Sequence, residues 1–160
     1  MKNRQFHPRS LKTSYLIRQA ENVTRVVINN NKFTISSSSG LISHAIDGTQ
    51  PGRVANVSAV ITNNTFNLGG SKARGVSLSD ISNVHVSANR FTGDGETAVR
   101  VFGTEPVSGW TVTANKGMGS FSSTGSDVFL GPTSSECIVG AGQAAVVNDS
   151  GTDNTILTQF

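Results

Sequence analysis

Asn83-Val84-His85-Val86-Ser87-Ala88-Asn89-Arg90-Phe91 sets apolar side chains at Val84 and Val86, closes the run with Asn89 and resumes with Phe91. Alternation that brief reads as a short strand with one buried face. Four further segments have an apolar residue at their first and third positions: Val26-Val27-Ile28-Asn29-Asn30-Asn31, Ala59-Val60-Ile61-Thr62-Asn63-Asn64, Trp110-Thr111-Val112-Thr113-Ala114-Asn115 and Cys137-Ile138-Val139-Gly140-Ala141-Gly142. Asn31, Asn64, Asn89 and Asn115 end the first four in chain order, and Gly142 ends the fifth. Phe33, Phe66 and Phe91 come two residues after the first three Asn, and Gly117 takes that place in the fourth. The steps between first positions are 33, 25, 26 and 27 residues.

A second alternating run precedes each of the last three segments: Val76-Ser77-Leu78, Val99-Arg100-Val101 and Val128-Phe129-Leu130. β-branched residues and turn formers fill the period, so helical repeats are excluded. Leu is too sparse for a leucine-rich repeat. A repeating coil of short strands separated by bends fits the pattern. Stacked coils place parallel strands about 4.8 Å apart, so five to six coils would stand roughly 25–30 Å tall. The expected fold is therefore all-β, a parallel β-helix. The Asn residues are expected to turn the chain in the left-handed conformation and to hydrogen-bond to one another as a ladder, with the Phe rings stacked beside them.

The totals narrow the function. Only 14% of residues are charged. The formal charge is +3, but it is unevenly spread. Lys2, Arg4, Arg9, Lys12, Arg18 and Arg25 stand against Glu21 alone, while the rest carries 7 bases and 9 acids. That is a basic arm over residues 1–14 on a slightly acidic body, without the basic face and interleaved aromatics that nucleic-acid binding needs. No apolar run is long enough for a membrane span or a signal peptide. The single cysteine, Cys137, excludes an internal disulfide.

The pattern Asn-Val-x-Val-x-x-Asn-x-Phe from Asn83 to Phe91, with looser copies at Asn22 to Phe33 and Asn56 to Phe66, resembles the coil repeat of the pectate-lyase-like superfamily of right-handed parallel β-helices. The resemblance covers roughly residues 15–148, within a domain read as 15–160. Val146 to Ile156 is similar to the closing segment of bacterial or phage members. It implies a polysaccharide-active protein of lyase, glycoside hydrolase or epimerase type, or a non-catalytic glycan-binding β-helix such as a tailspike or adhesin segment. A polysaccharide or surface glycan is the implied partner, the implied setting is extracellular or on a phage particle, the chain is monomeric or homotrimeric, and calcium enters as the family's cofactor. Family members usually have more coils and an amino-terminal cap. Leu11 to Ala20 is the one cap candidate, but Tyr15-Leu16-Ile17 reads better as a strand, and the chain reads as part of a longer β-helix.

No stretch spells out a catalytic apparatus. A glycosidase needs two carboxylates at a set separation. Asp94 and Glu96 precede the Val99 strand, but Lys72 and Arg74 hold the neighbouring places before the Val76 strand, so basic side chains lie over acidic ones and a surface ion-pair cluster is the simpler reading. Arg100, flanked by Ser77 and Phe129 in the stack, is placed to meet a uronate. Phe129 points outward as a sugar platform, with Arg74 and Lys72 as further substrate contacts. His44 with Asp47 has the form of a base and its orienting acid. His7 and His85 are isolated. No metal-ligand spacing occurs, and Asp94, Glu96 and Asp127 are the nearest acids for calcium. Cys137 and Trp110 are expected in the core.

Overall fold

A computed structural model describes residues 13–18, 25–37, 42–49, 58–119, 121, 125–142 and 145–159. The basic arm through residue 12, with His7, and the repeat starts Asn22 and Asn56 lie outside the described residues. Seventeen strands and no helix occur among the described residues. They are β1 (Thr13–Arg18), β2 (Arg25–Asn29), β3 (Lys32–Ser36), β4 (Ile42–Thr49), β5 (Ser58–Thr62), β6 (Thr65–Gly69), β7 (Ala73–Ser79), β8 (Val84–Ser87) and β9 (Arg90–Gly93). The rest are β10 (Thr97–Phe102), β11 (Val107–Ser108), β12 (Thr111–Thr113), β13 (Val128–Leu130), β14 (Ser134–Ser135), β15 (Ile138–Gly142), β16 (Val147–Asp149) and β17 (Thr155–Gln159). With no helix among the described residues, none is long and apolar enough to cross a membrane.

One sheet has the order β1-β4-β7-β10-β13-β16 and a second the order β17-β15-β12-β8-β5-β2. A third holds β3-β6-β9, and β11 pairs with β14. The pairings in all four sheets are parallel. The chain therefore passes from sheet to sheet in rotation and returns to each one strand further along. This all-β arrangement is compatible with a β-helix and forms no closed barrel. Tyr15, Leu16 and Ile17 lie in strand β1.

The register follows the repeat. Ile28, Ile61, Val86, Val112, Val139 and Ile156 stand side by side across the second sheet. All but Ile156 are buried, and Ile61, Val86 and Val112 have no exposed surface. Val76, Val99 and Val128 form the matching buried column of the first sheet. Each such side chain contributes about 1.5–3 kcal/mol when fully buried. Trp110 and Cys137 are in the core, and the Trp110 indole N–H donates to the Ile81 carbonyl at 2.8 Å.

The asparagines form a ladder in which Asn64 and Asn89 use every side-chain group. Asn64 Oδ1 accepts from the Asn31 backbone N–H at 2.9 Å and from Asn31 Nδ2 at 3.2 Å. Asn64 donates in the same way to Asn89 Oδ1, at 2.9 and 3.1 Å, and Asn89 to Asn115 Oδ1, both at 3.0 Å. The second Nδ2 hydrogens of Asn64, Asn89 and Asn115 go to the carbonyls of Ile28, Ile61 and Val86. Asn64 and Asn89 are 1% exposed, so no water need complete the set.

The turn sits one residue earlier than the sequence suggests. At the ladder turns the left-handed residues are Asn30, Asn63, Ala88 and Ala114, with φ of 58°, 55°, 53° and 54°. Left-handed backbone costs a residue with a Cβ roughly 1–2 kcal/mol. Alanine has no side-chain bond with which to offset that, so the ladder bonds of Asn89 and Asn115 hold Ala88 and Ala114 there. Gly142 does not repeat the bend. It lies in strand β15 and pairs with Gln159, because no asparagine stands there to pull the chain into the turn.

Phe33, Phe66 and Phe91 stack as expected, with centroids 4.9 and 4.7 Å apart and interplanar angles of 13° and 7°. The spacing is that of neighbouring strands. Gly117 has φ +80°, and a Cβ on it would collide with the Phe91 carbonyl oxygen. The column cannot continue there, and Phe121 closes it edge-on at 6.5 Å and 76°. Two inward columns also turn polar at the far end. Asp149 follows Leu130 in register, and Asn154 Oδ1 accepts from the Cys137 N–H at 2.9 Å. Asn154 Nδ2 in turn donates to Asp149 Oδ1 at 2.9 Å.

Asn89→Ala strands the Asn64 donors and the Ile61 carbonyl in the core, and is expected to lower stability by about 3–5 kcal/mol, against about 1 kcal/mol for Asn31→Ala at the exposed end. Urea unfolding of both variants at unchanged m-value measures the difference; equal losses would mean the ladder is not the register-setting element.

Candidate functional site

Ala45, Gly75 and Ala98 stand between two paired rows of the first sheet. Ala45 and Ala98 are fully buried, and a Cβ on Gly75 would meet Phe91 Cε1 at 2.9 Å, so this row faces the core beside the phenylalanine stack. The next row, Ile46, Val76 and Val99, faces the core too. Two inward residues in succession push the flanking positions to the other side of the sheet. His44, Arg74 and Thr97 form one flanking row. Asp47, Ser77, Arg100, Phe129 and Asn148 form the other.

A cleft of about 260 Å³ opens on this side, lined by Arg74, Glu96, Thr97, Arg100, Gly125, Ser126, Phe129, Val146 and Asn148. Arg74 grips Glu96 in a bidentate pair, Nε to Oε2 and Nη2 to Oε1, both at 3.0 Å. The ion pair expected on this edge therefore forms, although only Arg74 and Glu96 make it. Asp94 instead accepts the Gly70 N–H at 2.8 Å, and Lys72 is exposed. Burial alone would raise the Glu96 carboxyl. The Arg74 hydrogen bonds and charge, with the charges of Lys72 and Arg100, outweigh it and hold Glu96 below its ordinary value.

Arg100 has no such partner. Its guanidinium carbon lies 4.2 Å from the centre of the Phe102 ring and 5.3 Å from that of Phe129. It makes no hydrogen bond or ion pair among the described residues. Desolvation lowers its pKa, the Arg74 charge lowers it further, and Glu96 only partly offsets both. The register that the sequence predicts around Arg100, with Ser77 on one side and Phe129 on the other, is the one found. Phe102 escaped sequence reading, though alternation through Val99-Arg100-Val101-Phe102 puts it on the face of Arg100. Phe129 is half-buried, with Arg100 toward one side of its ring and Asn148 next to it on strand β16. The Ser77 hydroxyl, in the same row, is fully buried and has no hydrogen-bond partner, alone in this among the described side chains.

His44 and Asp47 come together away from the cleft lining. His44 Nδ1 lies 2.9 Å from Asp47 Oδ1, and both residues are buried. Asp127, also buried, accepts the N–H of Gly119 at 2.6 Å and of Val146 at 2.7 Å. The calcium that the family resemblance implies does not fit these acids. Asp94, Glu96 and Asp127 are each bound to different protein donors, and no group of three or more potential ligands gathers among the described residues. His85 stands in the second sheet between Val60 and Thr111, remote from other titratable groups in its row.

Comparison with known protein families, with curated proteins and with solved structures finds no match for this chain.

Because Glu96 titrates below its ordinary 4.5 in the folded protein, its contribution to stability is complete above that pH and is lost as pH falls through the lower, folded value. Glu96→Gln should therefore melt lower than the parent near neutrality and approach it in acid. The gap will not account for all acid sensitivity. Asp80 is likewise held low: burial raises it, but the Glu105 and Thr104 N–H groups and the Ser79 hydroxyl prevail. Thermal midpoints across pH test this, and a gap that widens toward acid refutes it.

Proposed function

We propose that the chain is a length of right-handed parallel β-helix of pectate-lyase-like type that binds a polysaccharide or surface glycan on the outer side of its first sheet without cutting it. The supporting observation is the cleft across strands β10, β13 and β16, which joins an aromatic wall, Phe129, to hydroxyl, amide and guanidinium groups. Its 260 Å³ falls below the roughly 300–1,000 Å³ of pockets that engulf a ligand. An open cleft of that size suits one sugar residue of a longer chain lying across the strands. The acids nearest the cleft support binding over hydrolysis. Glu96 is held by Arg74, and Asp127 is occupied by two backbone donors. Neither is free to protonate a glycosidic oxygen. Such a β-helix suits a tailspike stalk or an adhesin, at a cell surface or on a phage particle.

A second reading, polysaccharide cleavage by lyase, hydrolase or epimerase chemistry, draws on the buried His44–Asp47 pair, in which an acid orients an imidazole as in many base-catalysed sites.

Pectate, alginate and bacterial exopolysaccharides offered to the folded chain separate the two. Binding is expected on at least one of them, with neither unsaturated-product absorbance nor new reducing ends. Phe129→Ala should weaken it about tenfold. Product formation that disappears in His44→Ala would replace the binding reading by the enzymatic one, and a folded chain that retains no glycan would end both.

A further inference from the structure

The cleft carries a charge that the protein leaves unbalanced. The Arg74 charge acts on the Arg100 guanidinium, and Lys72 adds a third positive charge acting on Glu96. Among the described residues Glu96 is the one acid in the cleft lining, and both its oxygens are taken by Arg74. Among the described residues Arg100 is thus a half-buried cation with no ion-pair partner. Taking a cation partly out of water without a partner is unfavourable, and an arriving anion reverses that.

The geometry also limits what Arg100 can accept. The guanidinium carbon lies over the Phe102 and Phe129 rings, which offer it no hydrogen-bond acceptor, so its N–H groups are left for a ligand. A planar fork held in this way is suited to two parallel hydrogen bonds to one oxyanion. Ser126, Thr97 and Asn148, on the same cleft wall, supply neutral donors around it.

We propose that this cleft recognises a singly charged oxyanion on the glycan, a carboxylate or a sulfate ester, with Arg100 as its ion-pair partner and the residue that discriminates charged from neutral sugars. This rests on the glycan-binding reading and adds the class of ligand and the residue that selects it. The role is one of binding, with no covalent step. The aromatic pair positions the cation, and the Arg74–Glu96 pair keeps the second arginine from competing for the anion.

Calorimetric titration of the full chain with oligogalacturonate, a sulfated galactan oligosaccharide and a neutral galactan oligosaccharide of similar length tests it. At least one anionic oligosaccharide should bind about tenfold or more tighter than the neutral one, and the advantage should shrink as salt is raised. The carboxylated and sulfated arms show which oxyanion the cleft prefers. Arg100→Met keeps an apolar stem against the rings and should abolish the preference, while Arg100→Lys, which keeps the charge and loses the fork, should retain part of it. Circular dichroism confirms that both variants fold. Equal binding of neutral and anionic oligosaccharides, or an anionic preference unchanged in Arg100→Met, overturns the inference and leaves the glycan-binding reading standing. Binding to none of the three by the folded parent overturns both.

Discussion

A buried asparagine must satisfy two donors and two acceptor positions on its side chain without water, and here it can do so only if the next repeat presents its own asparagine one strand spacing away. Asn64 and Asn89 meet that condition completely, each receiving from the repeat before and giving to the repeat after. A slip of one residue would leave several buried polar groups unpaired, each costing about 1–3 kcal/mol. It would also turn every inward valine toward solvent. The ladder therefore fixes register more sharply than the aliphatic columns alone could, since one methyl-bearing side chain packs on another with some latitude.

Everything at the site inherits that register. Because Ile46, Val76, Val99 and Val128 are held side by side, so are Asp47, Ser77, Arg100 and Phe129 in the adjoining row. Arg100 meets Phe129 because their strands are neighbours, and meets Phe102 because residues two apart on a strand share a face. No loop has to be ordered to assemble the cation and its two rings. What the fold leaves adjustable is the loop edge, where Arg74 and Glu96 pair and where Asp94 instead binds the Gly70 N–H.

The parts legible in the sequence were those governed by periodicity. Parallel neighbours such as Val86 and Val112, the stacked phenylalanines and the asparagine ladder all follow from a spacing near 26 residues. The reading missed where two local requirements compete. Alanine at positive φ is a poor guess at Ala88 and Ala114, and only the bonds made by the following asparagine explain it. Gly142 takes the place that asparagine holds in the other segments, and with no ladder partner the strand extends through it. Strand β4 carries no alternation in its sequence, because its inward pair, Ala45 and Ile46, is consecutive. The Arg74–Glu96 pair was legible as opposite charges in adjacent repeats. Asp94 was legible only as an acid, since its partner is a backbone N–H that no side-chain pattern reveals.

The polar end of the stack and the unpaired arginine on its side follow from one principle applied in opposite directions. Asp149 and Asn154 occupy positions where earlier repeats place Leu130 and Cys137, and they bond to each other and to the last backbone donors. Their polarity is answered by hydrogen bonds inside the protein. Arg100 sits in a row whose other members are small, aromatic or paired, and the protein supplies no answering group among the described residues. In a fold that satisfies even the deeply buried Asn64 and Asn89 from within, a half-buried cation left to two rings marks the place where an external oxyanion gains the most.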